Sequence, residues 1–203
     1  SELEVTISLP DEYNPLWISK PKNFYYNNAI KYLNKRGITT YDILKYRLGY
    51  CEGGIYDGMV IIPNYNKNGN LTYFTNRSFL QGNFKKFINP PISRNIIGFE
   101  LQLNWDEPIT IVESGLDAII LKNNATPLYG KLLSETLKLT ILENEVKTIN
   151  ICLDPDAIKE AYKHCEYFIS NGININLVEL PKGHDPSTLG YDASWRLINN
   201  SKT

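Results

Sequence analysis

Two stretches decide the fold of this chain: ITIVESGLD at residues 109–117 and TINICLDPD at residues 148–156. Each is a short apolar run that ends in acidic residues, as expected for a buried strand followed by a turn. From residue 108 onwards such runs alternate with helical periodicity, which predicts a parallel sheet covered by helices. The predicted strands are 109–113, 125–129, 147–154 and 175–181, and the predicted helices are 116–124, 134–145 and 157–171.

The helix at 157–171 has the most regular apolar pattern. Gly172 follows it at a position typical of a helix end. Its predicted inward face consists of Ile158, Ala161, Tyr162, Cys165, Phe168 and Ile169.

Carboxylates follow three of the predicted strands. Glu113 ends the first, Asp154 and Asp156 end the third, and Asp185 follows the last. Ligands of open α/β sheets bind at the carboxyl ends of the strands, so we expect these acids to converge. Carboxylates that close repel one another, and a divalent cation with oxygen ligands, Mg²⁺ or Mn²⁺ rather than zinc, removes the repulsion. For any single acid, and for Asp117 in the first turn of a helix, capping or the helix dipole is an alternative explanation.

The first half of the chain has a different pattern. Residues 1–22 are polar and proline-bearing, which indicates an extended lead-in. Residues 24–35 have helical periodicity and are followed by Gly37 at a stop position. Residues 57–100 favour strands, with a hairpin turn at 66–69.

The charges are divided along the sequence. Residues 1–99 hold twelve basic and seven acidic residues, a net of +5, whereas residues 100–203 hold nine and fifteen, a net of −6. A basic half suits a phosphate backbone and an acidic half suits metal ions. Chance clustering on solvated faces is the alternative. No acid occurs between Asp57 and Glu100, a stretch that contains Lys67, Arg77, Lys85, Lys86 and Arg94.

Other classes of protein are disfavoured by composition. The three cysteines are far apart and form neither a disulfide framework nor a zinc pattern. No run of eighteen apolar residues and no signal segment is present, so we expect no membrane span and a cytoplasmic location.

The acidic motifs resemble the TOPRIM domain shared by primases, topoisomerases and some nucleases. That family has one strand ending in Glu-Gly and another ending in Asp-x-Asp. Here the motifs read Val-Glu113-Ser-Gly-Leu-Asp117 and Leu-Asp154-Pro-Asp156-Ala. Ser114 stands where the family often has glycine, which is a mild departure.

Further blocks resemble the catalytic core of bacterial and phage DNA primases. They follow in the family's order and cover roughly residues 10–190. The Pro-Pro ending at 90–91 and the block at 128–134 are closest to phage members. The matching blocks are 32–38, 58–63, 73–78, 86–91, 96–99 and 128–134.

This resemblance implies a small basic α+β subdomain at 23–106 and a TOPRIM domain at 107–203. It implies synthesis of short RNA primers on single-stranded DNA by metal-dependent nucleotidyl transfer from ribonucleoside triphosphates. Family members have an N-terminal zinc-binding module. We therefore expect such a module before Ser1 and no zinc in this fragment. They also bind a replicative helicase, through regions that we expect to be absent from this fragment.

The resemblance also implies roles for individual residues. The expected catalytic metal ligands are Glu113, Asp154 and Asp156, with Glu113 alternatively acting as a base. Asp117 and Asp185 are expected as supporting ligands. The expected template- or nucleotide-binding residues are Arg77, Lys86 and Asn89, with weaker cases for Arg36, Lys85, Arg94 and Lys131.

Several alternatives remain open at the level of sequence. One is a TOPRIM nuclease or topoisomerase fragment, and another is a non-catalytic DNA-binding module. Tyr73, Phe74 and Phe87 either stack on bases or fill the core. His164 and His184 are not expected to be ligands.

Overall fold

The computed structural model describes residues 7–18, 23–80, 82 and 85–201. By its internal contacts the chain divides into two compact units, Ser1–Ser93 and Arg94–Thr203. Ile97, Leu103 and Trp105 pack with the core of the second unit. The domain boundary predicted at residue 106 stays a sequence-based proposal. Of the predicted lead-in, residues 1–6 and 19–22 lie outside the described part of the chain.

The first unit contains an antiparallel sheet. Its strands follow the order β1-β2-β3-β4, and each pairs antiparallel with its neighbour. The elements of this unit are β1 (Tyr13–Pro15), α1 (Phe24–Lys35), α2 (Thr40–Lys45), β2 (Gly49–Cys51), β3 (Met59–Tyr65) and β4 (Leu71–Ser78).

Local signals explain where these elements begin and end. The side chain of Asn23 accepts a hydrogen bond from the N–H of Tyr26 and caps α1, and Gly37 follows the helix with a φ of 77°. In the β3–β4 turn, the side chain of Asn66 accepts from the N–H groups of Asn68 and Asn70. The predicted helix at 24–35 and the predicted hairpin are both present. The strand expectation for 57–100 is wrong beyond Ser78, because the described residues from 79 to 99 contain no strand.

The second unit contains a wholly parallel sheet in the order β6-β5-β7-β8. This confirms the predicted α/β class with a parallel sheet flanked by helices. The elements of this unit are β5 (Ile109–Val112), α3 (Gly115–Leu121), β6 (Ala125–Pro127), α4 (Glu135–Glu143), β7 (Thr148–Ile151), α5 (Ile158–Ser170), β8 (Asn174–Leu177), α6 (Pro186–Leu189) and α7 (Tyr191–Asn200).

The core of the second unit lies on both faces of β5 and β7. All four residues of β5 are buried, and Ile111 pairs with Ile151 in the middle of the sheet. A strand buried on both faces is apolar throughout, which is why ITIV reads as a continuous run.

Helix α5 corrects one expectation from the sequence. Ala161, Cys165 and Phe168 are buried as predicted, but Ile158, Tyr162 and Ile169 are 39%, 53% and 60% exposed. The buried stripe is therefore narrower than the apolar pattern, because one helix on one face of a sheet covers only part of its own circumference.

None of the helices within the described residues is long and apolar enough to cross a membrane.

Candidate active site

Three acids meet at the carboxyl end of the parallel sheet. Glu113 directly follows β5, and Asp154 and Asp156 lie in the turn between β7 and α5. One carboxylate oxygen from each lies within 4.8 Å of the others. The backbone N–H of Asp154 donates to Oε1 of Glu113 at 3.1 Å, which links the two strand ends directly. Adjacent parallel strands end side by side, so β5 and β7 bring these residues together.

The cluster is electrostatically costly without a cation. Burial, followed by the charges of Glu113, Asp185 and Asp156, raises the pKa of Asp154 to about 7. Burial also raises the pKa of Glu113. The buried Oδ1 of Asp154 has no hydrogen-bond partner among the described residues. A desolvated carboxylate oxygen without a partner is destabilising unless something else binds it.

Asp117 lies nearby but is occupied by hydrogen bonds. Its Oδ2 accepts from the N–H and hydroxyl of Ser114, forming the capping box of α3. Its Oδ1 accepts from the N–H of Ser187 at 2.9 Å. Burial, then the charge of Asp185, raises the pKa of Asp117 to about 6.

Asp185 caps α6 and faces the acids across a cleft. Its Oδ1 accepts from the hydroxyl of Ser187 and the N–H of Thr188, both within 2.9 Å. The cleft has a volume of about 720 Å³, within the range of ligand sites of about 300–1,000 Å³. Its lining residues are Asp154, Pro155, Asp156, Leu180, Lys182, Gly183, His184 and Asp185.

Lys131 is a cation that lies beside the cluster. Its Nζ lies 3.0 Å from Oδ2 of Asp156, and this hydrogen bond raises the pKa of Lys131. Its carbonyl oxygen lies 2.7 Å from Nε2 of His164. A carbonyl only accepts, so His164 donates and holds the backbone of Lys131. Nη1 of Arg94 donates to the carbonyl of Tyr129 at 3.0 Å, two residues before Lys131.

The other predicted contacts belong to the first unit. The guanidinium carbon of Arg77, near the end of β4, lies 4.8 Å from the ring centre of Phe87. Lys85, Lys86 and Asn89 are exposed in the segment that follows β4. Arg36 lies at the end of α1, with its guanidinium 4.7 Å from the ring centre of Tyr32.

Sequence reasoning gave no site role to three residues of these sites, of which His184 was considered only as a non-ligand. Lys182 and His184 line the cleft, and only their proximity to Asp185 in the sequence could have indicated it. Asn76 is completely buried and bonds to the backbone of Ile88. No sequence signal separates it from the other asparagines of this Asn-rich chain.

The second unit thus has the predicted parallel sheet, with the acids Glu113, Asp154 and Asp156 at its strand ends. Solved structures show a likeness that extends beyond that unit. A DnaG primase catalytic domain bound to single-stranded DNA matches 88% of this chain and 73% of its own, with a TM-score of 0.75 at 18% identity. The Escherichia coli primase catalytic core matches 88% and 74%, with a TM-score of 0.71 at 17% identity. The chain has the fold of the catalytic core of DnaG-type DNA primases.

Sequence relatives point the same way. A Legionella pneumophila protein named DNA primase is 25% identical over 83% of this chain, and a Buchnera aphidicola DNA primase is 28% identical over 83%. The chain spans only 38% and 32% of these two primases. An uncharacterized protein of Mycoplasma genitalium is 29% identical over 76% of this chain and 75% of its own length. No family model matches the sequence, and the predicted closeness to phage primases stays a prediction.

Proposed function

We propose that this chain is the catalytic core of a DNA primase, which copies single-stranded DNA into short RNA primers by nucleotidyl transfer from ribonucleoside triphosphates. One observation carries the proposal. Three acids from two strand ends offer carboxylate oxygens within 4.8 Å of one another, in a chain that matches a primase catalytic domain with a TM-score of 0.75.

The acidic cluster fits Mg²⁺ or Mn²⁺. Its donors are all carboxylate oxygens, which these ions prefer. Oδ1 of Asp154 is buried without a partner, and the raised pKa of Asp154 reflects burial and repulsion that a cation relieves. When bound, a pair of such ions stabilises the attacking and leaving oxygens of an in-line displacement.

Within this proposal Glu113, Asp154 and Asp156 hold the ions. Glu113 is the alternative acceptor of the proton from the primer 3′-hydroxyl, because burial raises its pKa towards the range in which a carboxylate acts as a base. Asp117 and Asp185 are the proposed supporting ligands. Asp117 would exchange the hydrogen bond that its Oδ1 accepts from Ser187 for a bond to the cation. Asp185 accepts both of its hydrogen bonds on Oδ1, so it would offer Oδ2 to the cation.

The basic residues are proposed to bind the substrates. Lys131 lies beside Asp156, and its ammonium group would attract the negatively charged triphosphate. Arg77, Lys86 and Asn89 contact the template strand. Arg36, Lys85 and Arg94 are proposed for lesser contacts with template or nucleotide. A replicative helicase is the proposed partner of the whole protein. The cytoplasm is its proposed location.

One assay separates this function from its rivals. The purified chain is incubated with circular single-stranded DNA, labelled ribonucleotides and Mg²⁺ or Mn²⁺. New RNA is expected of a primase, cut DNA of a TOPRIM nuclease or topoisomerase fragment, and neither of a non-catalytic module. A short primer annealed to part of the template allows extension to be scored separately from initiation.

A matched control ties any product to the cluster. Asp156→Asn removes one carboxylate charge from the site, and Glu166→Gln removes one from an exposed position of α5. RNA synthesis should be lost in the first variant and kept in the second. Equal loss in both variants would mean that the net charge of the unit, and not the cluster, controls activity.

A further inference from the structure

Consecutive residues of the loop that follows β6 are held through their backbone. Nη1 of Arg94 donates to the carbonyl of Tyr129 at 3.0 Å, and the N–H of Gly130 donates to the carbonyl of Glu113 at 3.3 Å. Nε2 of His164 donates to the carbonyl of Lys131 at 2.7 Å. These hydrogen bonds give the loop a defined conformation up to Lys131.

This conformation needs support from the rest of the unit. Tyr129 has a φ of 54°, in the left-handed region that residues other than glycine occupy infrequently. Backbone of this kind persists where the surrounding structure fixes it, and it is concentrated at functional sites. The hydrogen bonds from Arg94 and His164 are contacts that fix it.

His164 is an unusual member of the inward face of α5. The buried residues of this helix form one stripe, and His164 has the most polar side chain among them: Ala161, His164, Cys165 and Phe168. Burial of an imidazole costs free energy unless its nitrogen is hydrogen-bonded. The ring is only 7% exposed, and its bond to the carbonyl of Lys131 offsets this cost. An apolar side chain would fill the stripe without the cost, so the bond to Lys131 is what a histidine adds there.

The bond fixes the point from which the side chain of Lys131 starts. Nζ of Lys131 lies 3.0 Å from Oδ2 of Asp156, beside the acidic cluster. Because a lysine side chain is long and flexible, a fixed backbone reduces the space that its ammonium group samples. Burial lowers the pKa of His164, so the ring is neutral and the proton that it donates is the one on Nε2.

We propose that His164 is a positioning residue for the incoming ribonucleotide, which acts through the backbone of Lys131 and places its ammonium group beside the triphosphate. His164 does not touch the nucleotide itself. The inference rests on the proposed function, in which Lys131 attracts the triphosphate. Since the metal ligands are unaltered, loss of the bond should affect nucleotide affinity more than turnover.

Titration calorimetry with the Mn²⁺ complex of ATP, without DNA, measures nucleotide binding independently of synthesis. His164→Leu keeps an apolar side chain in the stripe but removes the donor to the Lys131 carbonyl. It should weaken binding by about threefold to tenfold, because one charge-assisted contact is made less often. His164→Gln, whose amide nitrogen can occupy the position of Nε2, should restore most of the affinity. Equal weakening in both variants, or none in the leucine variant, would contradict the positioning role.

Two further comparisons exclude a merely structural effect. In primer extension, His164→Leu should raise KM for nucleotides and leave kcat nearly unchanged. In a Lys131→Met background, His164→Leu should weaken nucleotide binding no further, because the side chain that it positions is gone. Additive losses would show that His164 does not act through Lys131. If the leucine variant does not fold, His164→Asn replaces it, because the shorter amide cannot reach the carbonyl.

The results also separate this inference from the proposed function. If nucleotide binding changes as expected but no RNA is made, the primase proposal is wrong and the positioning role stands. If the natural chain makes RNA and the leucine variant binds nucleotide normally, only the positioning role is wrong. A chain that binds no nucleotide would contradict both.

Discussion

The two units place polar groups in opposite ways. In the first unit, β4 and the segment beside it carry Arg77, Lys86 and Asn89 along the edge of an antiparallel sheet. In the second unit, parallel strands end together and bring Glu113 and Asp154 to one point. An edge suits an extended polymer, whereas a convergence of strand ends suits an ion or a phosphate group. Sheet topology and charge thus agree within each unit.

The units also differ in how completely their buried polar groups are satisfied. Asn76 is fully buried and makes two hydrogen bonds to Ile88. The buried Oδ1 of Asp154 has none among the described residues. Satisfied groups fix a conformation, whereas an unsatisfied carboxylate oxygen is available to bind a ligand. The hydrogen bonds of Asn76 therefore hold a fixed backbone conformation, and Oδ1 of Asp154 is suited to binding a cation.

The largest expected effect comes from removing the acids of the second unit. Asp154→Asn with Asp156→Asn should lower RNA synthesis by on the order of a thousandfold, because the loss of ion binding removes several kcal/mol of transition-state stabilisation. Binding of oligothymidylate without metal should be unchanged. Primer yield and fluorescence anisotropy measure the two effects. Full synthesis by the folded double variant would remove these acids from the active site.

A smaller effect is expected from removing basic residues of the first unit. Arg77→Ala with Lys86→Ala should weaken single-stranded DNA binding and make its salt slope shallower by about 1.4, or about 0.7 for each phosphate contact. Affinity for Mn²⁺, measured by titration calorimetry, should stay the same. If the slope does not move, the DNA contacts other basic residues.

The pKa of Asp154 gives a pH-dependent prediction. The folded protein keeps this proton up to about pH 7, while the unfolded chain loses it near pH 4. Folding therefore binds a proton in that window, and the metal-free protein loses stability as the pH rises through it. Thermal unfolding should show this trend in the natural chain and a weaker one in Asp154→Asn.

Affinity for Mn²⁺ should rise over the same window, because the ion displaces the proton. Titrations at pH 6 and pH 8 check this. An affinity independent of pH would mean that Asp154 is ionised before the ion arrives.

The smallest effect on stability is expected at Lys131. Its ion pair with Asp156 joins side chains that are 37% and 77% exposed, and solvent-accessible pairs contribute little to folding. Lys131→Met should leave thermal unfolding unchanged but raise KM for nucleotides more than it lowers kcat. The opposite pattern, with kcat reduced and KM unaltered, would place Lys131 in the chemical step.

Sequence alone was sufficient wherever a local rule decides the structure. Gly37 marks the end of α1, and the apolar runs before Glu113 and Asp154 predict strand ends that share one edge of a sheet. Sequence analysis was wrong where tertiary packing decides which residues are buried or in contact. Tyr162 and Ile169 match the helical period of α5 but lie outside its buried stripe. The side-chain bonds of Asn76 join residues twelve positions apart, which no periodicity records.

Asp117 lies between these cases. Ser114 and Asp117 have the spacing of a capping box, and the structure shows that box. The bond from Ser187 to Asp117 spans seventy positions and could not be read from the sequence. Whether Asp117 also binds metal stays a proposal.

Template-directed extension tests the central claim most directly. A short RNA is annealed to a DNA template whose overhang contains only thymine or only cytosine, and the four labelled ribonucleotides are offered one at a time with Mn²⁺. A primase core should add adenylate on the first template and guanylate on the second, and Asp154→Asn with Asp156→Asn should add neither. Addition that ignores the template, or DNA cleavage without addition, would contradict the account.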